Sequence, residues 1–327
     1  MKFGVVGLGS MGRRRARDLF ALGHEVSGFD LRTERTAPML KRVPSLDRLF
    51  ETGLDAVVIS TPPDEHVPLY ERAIAEGVPF FSEANVLTPH PDWLEGRGHP
   101  SATWRFYAPF AALRRELAGR DVLTVNHAYG GWLPDWHPWE SYDAFYAGRR
   151  RETCAAREMV PFELEWLVWV LGEVESVGAS RAARGIWVTN IDDTYVLDLA
   201  FASGATGTLV VELHQRAPFR LARISCTTGC YEVDVATHEL RRFDSPGWSV
   251  LEHGPADFES VYRDEIAAFA SAVAGDALYP KTWREDRHLS DVLVAAEESH
   301  RRGARVEIAE VADAYDGRSL DHEVSSV

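Results

Sequence analysis

The first twelve residues constrain the fold most. Lys2-Phe-Gly-Val-Val reads as a buried strand running into Gly7-Leu8-Gly9-Ser10-Met11-Gly12, and Arg13 to Leu22 behind it reads as a helix. In a Gly-x-Gly-x-x-Gly turn the first glycine permits the tight turn and the second lets the backbone approach a pyrophosphate. The third lets helix pack close to strand. Phosphates then rest on the unpaired N–H groups and positive dipole end of the helix. A second strand, Glu25 to Phe29, ends in Asp30, near the ~20-residue offset at which a carboxylate grips an adenosine ribose. These six turn residues, with Asp30, Leu31 and Arg32, form the expected dinucleotide cradle. The choice between NAD and NADP stays open at this level. Asp30 would repel a 2′-phosphate, which favours NAD, whereas Arg32 and Arg35 could pair with one.

A length of 327 residues suits two domains, and 45% hydrophobic content is ample for two cores. A formal charge of −15 argues against nucleic acid and anionic membrane surfaces as partners. No apolar run approaches the ~20 residues that span a bilayer, and the N-terminus enters a strand at once. Neither a membrane span nor a signal peptide is therefore expected. Three cysteines fit a reducing cytoplasm. Cys226 and Cys230 flank Thr-Thr-Gly as a hairpin would, and no further metal ligands stand nearby.

Strand and helix alternate through the first part, as in a doubly wound parallel sheet. Asp55-Ala-Val-Val-Ile59 is a continuous apolar run, the mark of a strand buried on both faces. It ends in Ser60-Thr61-Pro62-Pro63, with Asp64 placed to cap the next helix. Val78 to Ser82 is a further strand. Ala102 to Tyr107 and Val122 to Tyr129 also read as strands, with a helix from Phe110 to Leu117 between them. From Gly130 aromatic residues crowd the chain: Trp132, Trp136, Trp139, Tyr142, Phe145 and Tyr146, with His137 among them. A helix is expected from Ala155 to Leu171. Alternating apolar and polar residues from Val174 to Val250 describe a largely antiparallel sheet. Two amphipathic helices follow, near Tyr262–Ala274 and Arg287–Arg302. The expected division is a dinucleotide-binding domain over 1–120, a substrate-binding and oligomerisation α/β domain with an open sheet over 121–310, and a loose tail over 311–327.

With these pieces in place the chain resembles the glucose–fructose oxidoreductase/inositol dehydrogenase (Gfo/Idh/MocA) family over nearly its whole length. The carriers are Gly7 to Gly12, Asp30, Ser60-Thr61-Pro62-Pro63 with His66, and Glu83. Further on come Glu165-Trp-Leu-Val-Trp-Val-Leu-Gly172 and Glu298-Ser-His-Arg-Arg-Gly-Ala-Arg-Val-Glu307. The resemblance implies a Rossmann domain, a second domain on an open mixed sheet, and a nicotinamide at their junction. It also implies homo-dimers or homo-tetramers made by pairing sheet faces. By the same resemblance Ser60, Thr61, Pro62 and Pro63 contact the cofactor and Glu83 and Ala84 lie near the nicotinamide. His66 either contacts the cofactor or packs beside the next helix.

The chain departs from the family where protons are handled. The family's Glu-Lys-Pro run is here Glu83-Ala84-Asn85, and its aspartate and histidine four residues apart are here Glu158 and Phe162. The chain's three lysines, Lys2, Lys41 and Lys281, are remote in sequence from any expected cleft position. Glu158 and His137 are the expected acid–base groups, with Tyr142 and Tyr146 behind them. Arg157 and Phe162 on the helix and Trp136, Trp139 and Tyr142 in the aromatic run are the expected substrate-side residues. Glu158 and Glu165, almost two turns apart, share a helix face that could meet substrate, and Glu163 points elsewhere. The expected activity is NAD(P)-dependent hydride exchange with a sugar, sugar-nucleotide or cyclitol-like metabolite. A nicotinamide-bound sensor without turnover, or a net non-redox cycle, stays open beside it.

Overall fold

The computed structural model describes residues 1–84, 94, 96–184, 187, 189–244 and 247–316. Asn85 and most of the expected tail lie outside them.

The first sheet is wholly parallel. Its strands are β1 (Lys2–Val6), β2 (Glu25–Phe29), β3 (Lys41–Arg42), β4 (Ala56–Ile59), β5 (Phe80–Ser82) and β6 (Gly98–Pro100), in the order β3-β2-β1-β4-β5-β6. Helices α1 (Ser10–Ala21), α2 (Leu46–Phe50) and α3 (His66–Ala75) connect them, and α4 (Ala108–Leu117) leads away. Strand order reverses between β1 and β4, so a crevice opens at their carboxyl ends. Gly7 and Ser60 stand at that point. At Gly12 a Cβ would lie 1.8 Å from the Gly7 carbonyl oxygen, so only glycine lets α1 pack this close to the turn.

The second sheet has nine strands: β7 (Val122–Trp132), β8 (Val174–Ala182), β9 (Thr194–Phe201), β10 (Thr206–Glu212), β11 (His214–Cys226), β12 (Gly229–Asp234), β13 (Glu239–Asp244), β14 (Gly247–His253) and β15 (Val306–Glu307). Their order is β14-β13-β12-β11-β7-β10-β9-β8-β15, and only β7 and β10 run parallel. One face is covered by α5 (Ala155–Leu171) and α7 (Trp283–Arg302), with α8 (Ile308–Asp316) after the last strand. Helix α5 is apolar on nearly every side because it lies between α4, α7 and the sheet. Trp166 stacks on Phe110 of α4 at 4.3 Å, and Gly172, with φ of 95°, stops the helix. The α/β architecture is the one expected, a doubly wound parallel sheet followed by an open, largely antiparallel one.

Helix α6 (Glu259–Ala274) belongs by sequence to the later part but packs on α1, and its Ile266, Phe269 and Ala270 share a core with Phe3, Val5 and Leu19. Buried Glu265 fixes the junction. It accepts from Arg15 Nη2 (2.6 Å), Ala102 N (2.6 Å), Ser101 Oγ (2.9 Å) and Thr103 Oγ1 (3.0 Å). This corrects one expectation, because Ala102 to Tyr107 is not a strand: residues Thr103–Phe106 form a 3₁₀ turn. The Ala102 N–H goes to a side chain rather than to a sheet ladder. Helix α7 starts before Arg287 because Thr282 and Glu285 form a capping box. Asp64 caps nothing through its side chain; it pairs with Arg150.

Candidate active site

A cleft of about 1140 Å³ lies at the carboxyl edge of the first sheet, between it and the aromatic segment after β7. Its floor is the glycine turn, with Gly7, Gly9, Ser10 and Met11 among the lining residues. Gly9 begins α1 without any side-chain cap, and no acidic residue sits in the first turn. The leading amides of α1 therefore face the cleft end unsatisfied, as an arriving pyrophosphate requires. A Cβ at Gly9 would meet only Arg35 Nη1, at 3.6 Å, so the space before it is open. The Ser60 and Thr61 hydroxyls are buried without a hydrogen-bond partner among the described residues.

Asp30 ends β2 with its carboxylate bound locally. Oδ2 accepts from Leu8 N at 2.6 Å and Oδ1 from Arg32 N at 2.8 Å. Arg35 Nη1 lies 3.7 Å from Oδ2, so Arg35 leans on Asp30 rather than standing clear for a phosphate. Together with the turn, these features fit an adenine dinucleotide.

Most of the expected cofactor side lines the cleft: Asp30, Leu31, Arg32, Ser60, Thr61, Pro62, Pro63, Glu83 and Ala84. Three residues do not. Leu8 is buried and contributes its amide to Asp30, and Gly12 serves the close approach of helix and turn. His66 is wholly buried, between the Thr61 carbonyl (3.0 Å from Nε2) and the Tyr70 hydroxyl (3.1 Å from Nδ1). It shapes the loop from behind, so of its two expected roles the structure supports the packing one.

At the other end of the cleft the structure assembles a carboxylate and a phenol. Tyr146 Oη donates to Glu158 Oε2 at 2.8 Å, and both line the cleft with Glu83. Burial pushes the Glu158 carboxyl up to about 7, against the hydrogen bond from Tyr146 and with help from the charge of Glu83. Burial and then Glu158 hold the Tyr146 phenol well above its ordinary value. Glu83 is tied by a forked pair to buried Arg15, at 2.7 and 3.2 Å.

His137 also lines the cleft, stacked on Trp139 and tilted against Phe145, with Nδ1 2.9 Å from Glu140 Oε1. It makes no hydrogen bond to Glu158 or Tyr146. Among the substrate-side residues Trp136, Trp139 and Phe162 face the cleft. Arg157 does not; it is buried against Glu297 (2.7 Å) and the Glu152 carbonyl. Tyr142 also lies off the cleft, edge-on to Trp187.

The shared face of Glu158 and Glu165 does not present two carboxylates to one ligand. Glu165 is buried and bound by Arg105 Nε at 2.8 Å. It lines a separate cavity of about 20 Å³ behind Ala84 and Phe162. Lys281 lines that cavity too, although it lies 180 residues from its partner Ser101. Its Nζ donates to the Ser101 carbonyl (2.8 Å) and Asp286 Oδ1 (2.5 Å). A lysine thus stands behind Ala84, where distance along the chain suggested none. Sequence reasoning also missed Arg220 of β11, which lines the cleft beside Phe162. No local motif marks either residue. The described residues contain no cluster of potential metal ligands and no disulfide.

Comparison with known proteins agrees with this fold. Residues 2–72 match the model of the NAD binding domain of 6-phosphogluconate dehydrogenase, and residues 111–232 match the GFO/IDH/MocA C-terminal domain. Comparison with curated protein sequences gave no match. Among solved structures the chain is similar to GenD2 from gentamicin A biosynthesis in complex with NAD, with TM-score 0.77 and 20% identity over 94% of this chain and 96% of that one. It is similar to an oxidoreductase from Agrobacterium radiobacter in complex with NAD+, L-tartaric acid and magnesium, with TM-score 0.76 and 17% identity over 95% and 99%. A third is UDP-N-acetylglucosamine 3-dehydrogenase GnnA from Acidithiobacillus ferrooxidans, with TM-score 0.75 and 21% identity over 92% and 97%.

Proposed function

We propose that this chain, which joins an NAD-binding domain to a Gfo/Idh/MocA C-terminal domain, is an NAD-dependent oxidoreductase acting on a hydroxyl-bearing carbon of a sugar, sugar-nucleotide or cyclitol. The observation that carries this reading is the Tyr146–Glu158 pair in the same cleft as the uncapped start of α1. When bound, the nicotinamide supplies the hydride acceptor or donor. Everything else falls to side chains of this chain. Trp136 and Trp139 offer flat faces for a sugar ring. Glu158, ionised above about pH 7, takes the proton of the substrate hydroxyl during oxidation and returns it during reduction. Tyr146 donates to one carboxylate oxygen, which leaves the other for the substrate. His137, its Nδ1 held by Glu140, lines the same cleft as a further hydrogen-bonding group for the substrate. Arg15 balances the Glu83 charge at the cleft wall.

Asp30 and the inward lean of Arg35 favour NAD over NADP. The outer face of the second sheet carries exposed Val196, Phe243, Trp248 and Val250 beside Arg223, which supports a homo-dimer or homo-tetramer built on that face. Among the described residues no helix is long and apolar enough to cross a membrane. The unpaired cysteines suit the reducing cytoplasm.

The direct test incubates purified protein with NAD+ and D-glucose, myo-inositol and UDP-N-acetylglucosamine, and follows reduced-nicotinamide absorbance. Turnover of at least one is expected. Absence of calorimetric NAD(H) binding would overturn the reading.

A further inference from the structure

The wall of the cleft contributed by the second sheet carries a cation that hydride and proton transfer do not use. Arg220 stands on β11, in register with Tyr129 of β7. Its guanidinium carbon lies 4.5 Å from the centre of the Tyr129 ring, 4.8 Å from that of Trp104 and 5.8 Å from that of Phe162. Nε and Nη2 both approach Glu163 Oε1, at 3.0 and 2.9 Å. Three aromatic faces and one carboxylate hold the guanidinium plane, so this is a pre-set fork rather than a mobile surface cation.

Its fork is only partly occupied. Glu163 is wholly buried and gives its second oxygen to His127 Nε2 at 2.7 Å, while His127 Nδ1 faces the Leu221 carbonyl at 3.1 Å. One negative charge is thereby shared between two donors. Arg220 Nη1 has no hydrogen-bond partner among the described residues, although the side chain is only 18% exposed. That free edge is available to an oxyanion entering the cleft, which would complete the fork. Phe162 follows Glu158 by one helical turn, about 6 Å along α5. The fork and the proton-handling carboxylate thus line the same cleft, with Phe162 beside the fork and one turn from Glu158.

Resting on the oxidoreductase reading above, we infer that Arg220 selects an acidic substrate, a sugar carrying a carboxylate or phosphate besides the reacting hydroxyl. The ordinary fate of a buried arginine, a closed structural pair, does not account for a fork edge left unpaired in the lining of the cleft.

The test titrates the NADH-loaded enzyme calorimetrically with D-glucuronate, D-glucose 6-phosphate and D-glucose. At least one acidic sugar is expected to bind tenfold or more tightly than glucose, with an advantage that shrinks as salt rises. The better of the two identifies which oxyanion the fork takes. Arg220→Gln should bring the ratio to within twofold while NADH affinity is unchanged. Arg220→Lys, which keeps the charge and loses the planar fork, should give an intermediate ratio and serves if the glutamine variant fails to fold. Equal binding of acidic and neutral sugars, binding of none of them, or a full ratio retained in a folded variant would overturn the assignment. Each of those results leaves the oxidoreductase reading standing as long as NADH binds; loss of NADH binding by the unaltered protein strikes that reading instead.

Discussion

Glu158 shows how one side chain acquires a role from its surroundings. It is the fourth residue of α5, a helix start that favours a negative charge, yet burial outweighs this and lifts its carboxyl to about 7. The oxidation rate should therefore rise with pH through about 7 as the base form fills. Glu158→Gln should lower kcat by roughly 10²–10⁴-fold, abolish that limb of the profile and leave NADH affinity unchanged. Stability carries the opposite sign. The folded carboxyl binds its proton more tightly than an unfolded one at 4.5, so stability falls as pH rises between about 4.5 and 7. The loss is up to about 3 kcal/mol at roughly 1.4 kcal/mol per unit. The glutamine variant should accordingly melt higher than the parent at pH 8 and not at pH 4; calorimetric scans at the two pH values decide it. Glu158 was legible in the sequence as a cleft carboxylate. Tyr146 was read only as a fallback acid–base group; its pairing with Glu158 was not legible, because it reaches across from a short 3₁₀ turn twelve residues earlier, where no periodicity fixes direction.

At the scale of elements the glycine turn separates folding from binding. Gly9→Ala places a methyl group where only Arg35 is near, in a backbone conformation that alanine adopts. Its melting temperature should match the parent while NADH affinity falls at least tenfold, since the methyl group fills the phosphate approach. Gly12→Ala drives a methyl group into the Gly7 carbonyl, so α1 must move off the turn and the melting temperature should drop. Equal melting of the two variants would show that the turn has slack. This turn was readable because its whole logic lies within a dozen residues. Helix α5 was readable for a related reason, with its apolar run ending at Gly172. The 3₁₀ turn after Ser101 was not, because the carboxylate that captures the Ala102 amide lies 163 residues onward. Lys281 and Arg220 escaped notice likewise, since their surroundings are assembled from distant strands and helices.

The whole molecule presents one covered and one open sheet surface. The alternation of β9 and β10 was legible from Val196 to Val211 and leaves Val196 facing outward, as β13 and β14 leave Phe243, Trp248 and Val250. Sedimentation velocity at micromolar concentration should give a dimer or tetramer. Trp248→Lys together with Val250→Lys should shift it towards monomer without lowering NADH affinity, because the cleft draws nothing from β14. A parent protein that sediments as a monomer would remove the proposed interface.

The hold of Glu265 on Arg15 also sets a clock for biosynthesis. The two residues are 250 apart, and at about 5–20 residues per second a ribosome takes roughly ten to fifty seconds to travel between them. Throughout that interval the Arg15 guanidinium has only Glu83 to answer it, because its second carboxylate has not yet been translated. The nucleotide-binding half, first off the ribosome, is therefore among the last parts to mature, and a nascent chain halted before α6 should be prone to chaperone capture.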